Sequence, residues 1–592
     1  MRKLALPLAL ATLFGLASAQ AATPAERLAD VATRYYDARA RFEPLAATEG
    51  GDNRFDDQLG LSISPAERSK HFAAWRGFLK ELAALPAASL PPAERLNREL
   101  LEEQLRGQLA FERYPDHLLP LHQMGATPFQ LAFYSSGQGG QPLKTAAQLD
   151  AYLKRVAGLP VWCDQAIANM REGIKRGVVQ SAPVVEAALP LLKNLAEADA
   201  EHSPYTAPVR ALPEGISAAD RARLTEAYHR ELIERAQPAL HRLLAFVEID
   251  YLPAARKRGS IGLAALPNGK AWYRQWVRES TTTDMTPEQI HELGLREVAR
   301  IQGEIVRIAP QLGFAGDPLK NGGLLAWART DERFRPFKTE AEILDAYRAI
   351  NARVGPQLPK LFGQLPRMAL DIRAEPELTR ETASDHYTVG QADGSAPGVF
   401  WAVINAPGDQ TVTTMTALFL HEGQPGHHFH LGRQMEMPLP DFRRRNWINA
   451  YGEGWALYAE TLGHELGLYA DPVAYAGELR LEISRAARLV VDTGLHAKGW
   501  SREQALKYWM DNTGAGEQQA VAQIDRYLAW PGQALGYKIG ALKIQELRRR
   551  AEQKLGSKFS LAAFHDQVLG EGSLPLSVLE KRIDAWMAAQ AR

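Results

Sequence analysis

"FLHEGQPGHHFHLG", residues 419–432, contains His421, His427, His428 and His430 of a chain with 15 histidines. It starts like the metal-hydrolase motif HExxH, with His421-Glu422, but has Pro425 where the second histidine should stand. Two histidines four apart share one face of a helix. Seven residues along an unbroken helix rise roughly 10.5 Å, and six land on the wrong face, so neither His427 nor His428 could then share an ion with His421. Proline removes a helical hydrogen bond and crowds the preceding turn, while glycine accepts dihedrals that other residues avoid. The stretch therefore predicts a helix interrupted at Pro425-Gly426, with His427 or His428 returned beside His421 as a metal ligand. Glu422, next to a ligand, is the natural general base.

A third ligand follows from spacing. "NAYGEGWALYAETLG", residues 449–463, reads as a helix after the turn "MPLPD", and its Glu453 lies 25 residues beyond His428 and 26 beyond His427. Helix, turn and returning helix would bring Glu453 back to complete a His-His-Glu site with one position open for water. Glu460, two turns on, shares that face and would support a ligand from behind. Two imidazoles and a carboxylate suit zinc, one ion per chain, although iron, cobalt and manganese occupy similar sites. The other His-Glu pair, His464-Glu465, has no second histidine after it and reads as polar residues near a helix end.

Around this centre the 592-residue chain is mainly helical. Residues 91–112, 219–248, 284–308 and 540–555 carry apolar residues at three- and four-residue spacing, and Thr286-Pro287 marks a helix start. "GVFWAVINAP", residues 398–407, is β-branched and aromatic and predicts a strand. Residues 1–21 have the basic, apolar and small-residue order of a signal peptide, so residues 22–592 are expected to form the mature helical domain, exported and periplasmic. The apolar run is short for a membrane span, and no cysteine follows it to carry a lipid. Cys163, the one cysteine, reads as a buried apolar residue rather than a disulfide partner or a nucleophile. Lys plus Arg and Asp plus Glu balance at 69 each, which gives no support to a nucleic-acid footprint. Arg443-Arg444-Arg445 and Arg548-Arg549-Arg550 read as solvated helix surface.

"HEGQPGHH" and "YGEGWALYAE" resemble the two signature blocks of the bacterial family called domain of unknown function 885. Further similar strings are "MREGIKRGVV" from 170, "DGSAPGVFW" from 393, "RLVVDTGLHAKGWSREQAL" from 488, "DRYLAWPGQALGYKIG" from 525 and "FHDQVLGEGSLPL" from 564. The resemblance implies a zinc metallopeptidase with a fold like the large helical glutamate-zincins: two helical halves around a cleft, and a small β element beside the metal helix. It favours His428 slightly over His427, and it implies a tyrosine from the late segment, Tyr527 or Tyr537, as an oxyanion donor. It also makes the strand at 398–407 a candidate edge for pairing with extended substrate. His430 and Gln523 depart from the family pattern, the first as a competing nitrogen, the second as a weakened partner of Arg526.

Arg488, Asp492 and His496 are spaced four apart on an otherwise apolar helix and predict a polar row facing the cleft, with His496 a transition-state donor and Asp492 its orienter. The expected function is zinc-dependent hydrolysis of short peptides or peptide-like substrates. The alternatives are a zinc amidohydrolase acting on a modified peptide or cell-wall fragment, and a metal- or peptide-binding protein without turnover. Neither the oligomeric state nor the substrate sequence is legible.

Overall fold

The computed structural model describes residues 22–592 apart from 138–139, 381–382 and 591–592; the expected signal peptide, 1–21, lies outside the described residues. The fold is mainly α, with one small sheet. The helices predicted from periodicity form as Pro92–Ala110, Ala218–Glu231 continuing through Gln237–Phe246, Pro287–Ile308 and Leu535–Leu555. Thr286 caps its helix, its hydroxyl accepting from Gln289 N and the Gln289 side chain accepting from Thr286 N. No helix among the described residues is long and apolar enough to cross a membrane.

Among the described residues, three large apolar cores and a smaller fourth around Trp272, Ile290 and Leu535 hold the helices together. One joins the amino-terminal helices, through Leu28, Trp75 and Leu101, to the sheet, the histidine helices and the carboxyl-terminal residues Ile583 and Met587. A second lies among the helices between residues 121 and 255 and buries Cys163, whose thiol burial pushes up to about 12. The third packs Pro287–Ile308 against Pro472–His496 and Glu517–Ala529.

The predicted strand is shorter than expected and central. β1 (Leu370–Ala374), β2 (His386–Thr388) and β3 (Gly398–Ala402) are ordered β1-β3-β2, with β3 parallel to β1 and antiparallel to β2. Both edges of β3 are thus hydrogen-bonded within the sheet, and the reading of 398–407 as a substrate-pairing edge does not hold. Its apolar residues serve packing instead: Phe400 is fully buried and meets Phe419 of the His421 helix at 6.5 Å between ring centroids.

The reading of Arg443-Arg444-Arg445 as a solvated face also fails. Arg443 is buried, donating to Asn97 Oδ1 at 2.7 Å and to Glu571, Arg444 pairs with Asp441, and Arg445 donates to Gly50 O at 2.6 Å. In Arg548-Arg549-Arg550, Arg549 is exposed as expected, while Arg548 and Arg550 are half-buried and pair with Glu465 and Glu580. Nothing in a run of three arginines reveals which carbonyls and carboxylates the fold will bring to them.

The helix Asn449–Thr461 lies directly on Leu535–Leu555 through glycines. A Cβ on Gly454 would stand 2.5 Å from Gly540 Cα, and one on Gly540 would stand 1.8 Å from Ala450 O. Backbone meets backbone, so a methyl group can be admitted only by parting the helices. Gly540→Ala is expected to lower stability by about 1–3 kcal/mol or more, read as a fall in the denaturant midpoint at constant slope. Gly77→Ala, on the exposed face of the helix Pro65–Ala83 where a Cβ meets nothing within 4 Å, should instead stabilise by up to about 1 kcal/mol.

Candidate metal centre

The helix breaks where proline and glycine predict. Met415–Glu422 ends at Gly423, the Gln424-Pro425 bond is cis, and a second helix begins at His427 and runs to Glu436. Two contacts define the break. Trp455 Nε1 donates to Pro425 O at 2.9 Å, and Gly426 passes so close to the first helix that a Cβ there would lie 1.9 Å from His421 O. Only glycine allows the second helix to start against the carbonyl end of the first.

This approach brings His427, rather than His428, to His421. The two imidazoles lie edge to face, 4.7 Å between centroids at 84°. Glu453 closes the group: its Oε2 is 3.7 Å from His421 Nε2 and 3.5 Å from His427 Nε2, and the three donor atoms lie within 4.8 Å of one another. His428, favoured slightly by the resemblance, points away to the sheet, where its Nδ1 meets the Tyr387 hydroxyl at 3.1 Å; burial lowers its pKa to about 4. The one-residue difference rotates the side chain by about 100° on the second helix, enough to exchange the cluster for the sheet.

The spacing fits a cation. Ligands about 2.1 Å from a tetrahedral zinc stand roughly 3.4 Å from one another, close to the two distances observed. Glu453 Oε2 is buried without a hydrogen-bond partner, as a lone pair kept for a metal would be. Behind it, Glu460, fully buried, accepts from His421 Nδ1 at 2.8 Å and from Arg485 Nη2 at 3.1 Å. With Nδ1 held by Glu460, Nε2 on the Glu453 side is the nitrogen that His421 would offer to a cation. Burial alone would lower the His421 pKa, but Glu453 and Glu460 outweigh it and raise it to about 10; reciprocally, the two histidines hold Glu453 well below the usual carboxylate range against its own burial. Two carboxylates around two imidazoles make a place that attracts positive charge.

Glu422 sits at the end of the His421 helix, mostly buried, and its carboxylate makes no hydrogen bond or ion pair among the described residues. Burial pushes neighbouring Asp385 up to about 7, against the Val403 N–H that it accepts at 2.9 Å, and the Glu422 charge adds to the rise. Glu453 belongs to the wall of a cleft of about 1940 Å³, together with Trp447, Arg526 and Tyr537. Trp447, exposed by 42%, stands 5.6 Å from the His427 ring and was not singled out by sequence reasoning. Its only signal was its place in the turn before the Glu453 helix.

The two tyrosines separate clearly. Tyr537 lines the cleft, its ring parallel to His421 at 6.5 Å, and its hydroxyl accepts from Arg526 Nη2 at 3.2 Å. Tyr527 is buried in the third core, accepting from Arg488 Nε at 3.1 Å and donating to Gln523 Oε1 at 2.9 Å. Gln523 therefore serves Tyr527 and not Arg526. The predicted cleft-facing row does not form either. Asp492, fully buried, accepts from the Tyr273 hydroxyl at 2.5 Å and from Gly532 N at 3.1 Å, and His496 accepts from Leu263 N at 3.1 Å while donating to Tyr527 O at 2.9 Å. They tie three chain segments together inside the protein, an outcome that four-residue spacing cannot distinguish from a cleft wall. His430 is held by Ser573 Oγ at 3.1 Å, outside the donor cluster.

Two solved structures share this architecture. The crystal structure of a "putative lipoprotein" from Colwellia psychrerythraea is similar with a TM-score of 0.87 and 27% identity, over 96% of this chain and 100% of that one. A "putative lipoprotein of unknown function" from Shewanella oneidensis has a TM-score of 0.71 and 19% identity, over 95% and 99%. No curated protein matches. The profile described as "Bacterial protein of unknown function (DUF885)" spans residues 44–583, and the chain belongs to that family.

Proposed function

We propose that this chain is an exported zinc-dependent peptidase that hydrolyses short peptides, with His421, His427 and Glu453 as the metal ligands and Glu422 as the general base. What carries the reading is the convergence of three donor atoms, one of them a buried carboxylate oxygen without a hydrogen bond, with Glu453 on the wall of a large cleft and the Glu422 carboxylate next to His421 in the chain. A binding protein needs ligands but no base. Zinc there would acidify a water and draw charge from the scissile carbonyl. Glu422 would take the proton of that water as its oxygen bonds to the carbonyl carbon, then pass it to the leaving nitrogen as the C–N bond breaks.

Tyr537 supplies the remaining part. Because its hydroxyl accepts from Arg526, its own proton stays available for the carbonyl oxygen as that oxygen gains charge. The cleft, at about 1940 Å³, is larger than the 300–1,000 Å³ or so of small-molecule pockets and has room for several residues of extended chain. Export is supported by the signal-like residues 1–21 and by the description of both structural neighbours as lipoproteins.

Metal analysis of the purified protein is expected to give about one zinc per chain, lost in His421→Ala, His427→Ala and Glu453→Ala but kept in His428→Ala. Glu460→Gln should weaken zinc affinity about 10–100-fold by releasing His421. Zinc retained by Glu453→Ala would refute the ligand set.

Against a library of quenched peptides, Glu422→Gln should lose about 10²–10⁴-fold in kcat/KM with its zinc intact. Tyr537→Phe should lose about 10²–10³-fold in kcat with little change in KM. Full activity in Glu422→Gln would remove the peptidase mechanism.

A further inference from the structure

Arg488 and Arg526 stand on either side of Tyr537, and neither makes an ion pair among the described residues. The Arg488 guanidinium lies 4.3 Å from the Tyr537 ring centroid and Arg526 donates to the Tyr537 hydroxyl. Arg488 is nine-tenths buried, and its Nη1 has no partner; Arg526 Nε is also buried and unpartnered. Arg526 spends Nη2 on Gln533 Oε1, at 2.9 Å, and on Tyr537. The carboxylate whose charge it feels is Glu453, which faces the two imidazoles. Uncompensated buried charge is costly, and proteins normally pair it. Elsewhere this chain does so: buried Arg485 has Glu460, and buried Lys538 has Glu482 at 2.6 Å and Glu297 at 3.1 Å.

We propose that this pair of guanidiniums is the binding site for the free α-carboxylate at the carboxyl terminus of a peptide, with Arg526, on the cleft wall, making the contact. Arg488, beneath the Tyr537 ring, is a positioning residue that adds its charge from behind. This rests on the peptidase reading and deepens it. Guanidinium presents donors in a planar fork that matches a carboxylate. Tyr537 touches both ends of this path, its hydroxyl accepting from Arg526 at 3.2 Å and its ring standing 6.5 Å from that of His421, and an extended residue spans about 3.5 Å. A peptide anchored at Arg526 would therefore place a bond one or two residues from its end at the metal ligands, and the products would be a short carboxyl-terminal fragment and the shortened chain.

The test uses the full-length, zinc-loaded Glu422→Gln protein and calorimetric binding of three probes: tetra-alanine with a free carboxylate, its carboxyl-terminal amide, and an amide carrying one internal aspartate. The free acid is expected to bind about 10–100-fold more tightly than either amide. Adding Arg526→Met should erase that difference with zinc content unchanged, and Arg526→Lys should restore part of it. Equal affinity for acid and amide overturns the proposal. Tight binding of the aspartyl amide overturns the terminal assignment in favour of a side-chain carboxylate. Hydrolysis by the wild type is scored apart: discrimination without cleavage leaves the carboxylate site standing and removes the peptidase, whereas equal cleavage of acid and amide does the reverse.

Discussion

The whole site depends on how closely the end of one short helix meets the start of the next. His421 and His427 are six residues apart, and a continuous helix would turn them to different faces. The chain stops the first helix, passes through Pro425 and Gly426, and restarts with His427 against the carbonyl end of its predecessor. The break is held from outside by the indole of Trp455, on the same helix as Glu453. One helix thus supplies both the third donor and the clamp that sets the other two.

The site is embedded in charge that the fold balances pair by pair. Glu460 orients His421 and is itself neutralised by Arg485. Lys538, next to Tyr537 in sequence, crosses to Glu482 and Glu297 and ties the Tyr537 helix to two long neighbours. Each such pair is costly to bury and costlier to break, so these helices are fixed in register by electrostatics as well as by packing. The two arginines around Tyr537 make no such pair among the described residues, and one of them, Arg526, lines the cleft.

Much of this was legible in the sequence. The long helices announce themselves by periodicity, the break by Pro425-Gly426, and His421, Glu422, Glu453 and Glu460 by motif and spacing. What failed had a common physical cause. His427 and His428 differ by one residue, and only the restart position of the second helix decides between them. Asp492 and His496 have the spacing of a cleft wall, but the segments carrying Gly532, Leu263 and Tyr273 close over them. The resemblance made the strand at 398–407 a candidate edge, and its partners, β1 and β2, are short and carry little strand signal of their own to show otherwise. In each case the deciding partner is distant in sequence, and no local pattern reports it.

The glycine contact between the Glu453 and Tyr537 helices sets the mechanics of the cleft. With Gly454 against Gly540 and no side chains between them, the two helices cannot slide or tilt independently without backbone collision. Glu453 and Tyr537 consequently travel as one rigid block, and their separation is insensitive to breathing of the domain. Any widening of the cleft must then come from other parts of its wall, such as the helix Pro92–Ala110. The spacing of Glu453 and Tyr537 and the width of the cleft thus rest on different contacts, the first on backbone meeting backbone, the second on side-chain packing of the amino-terminal helices.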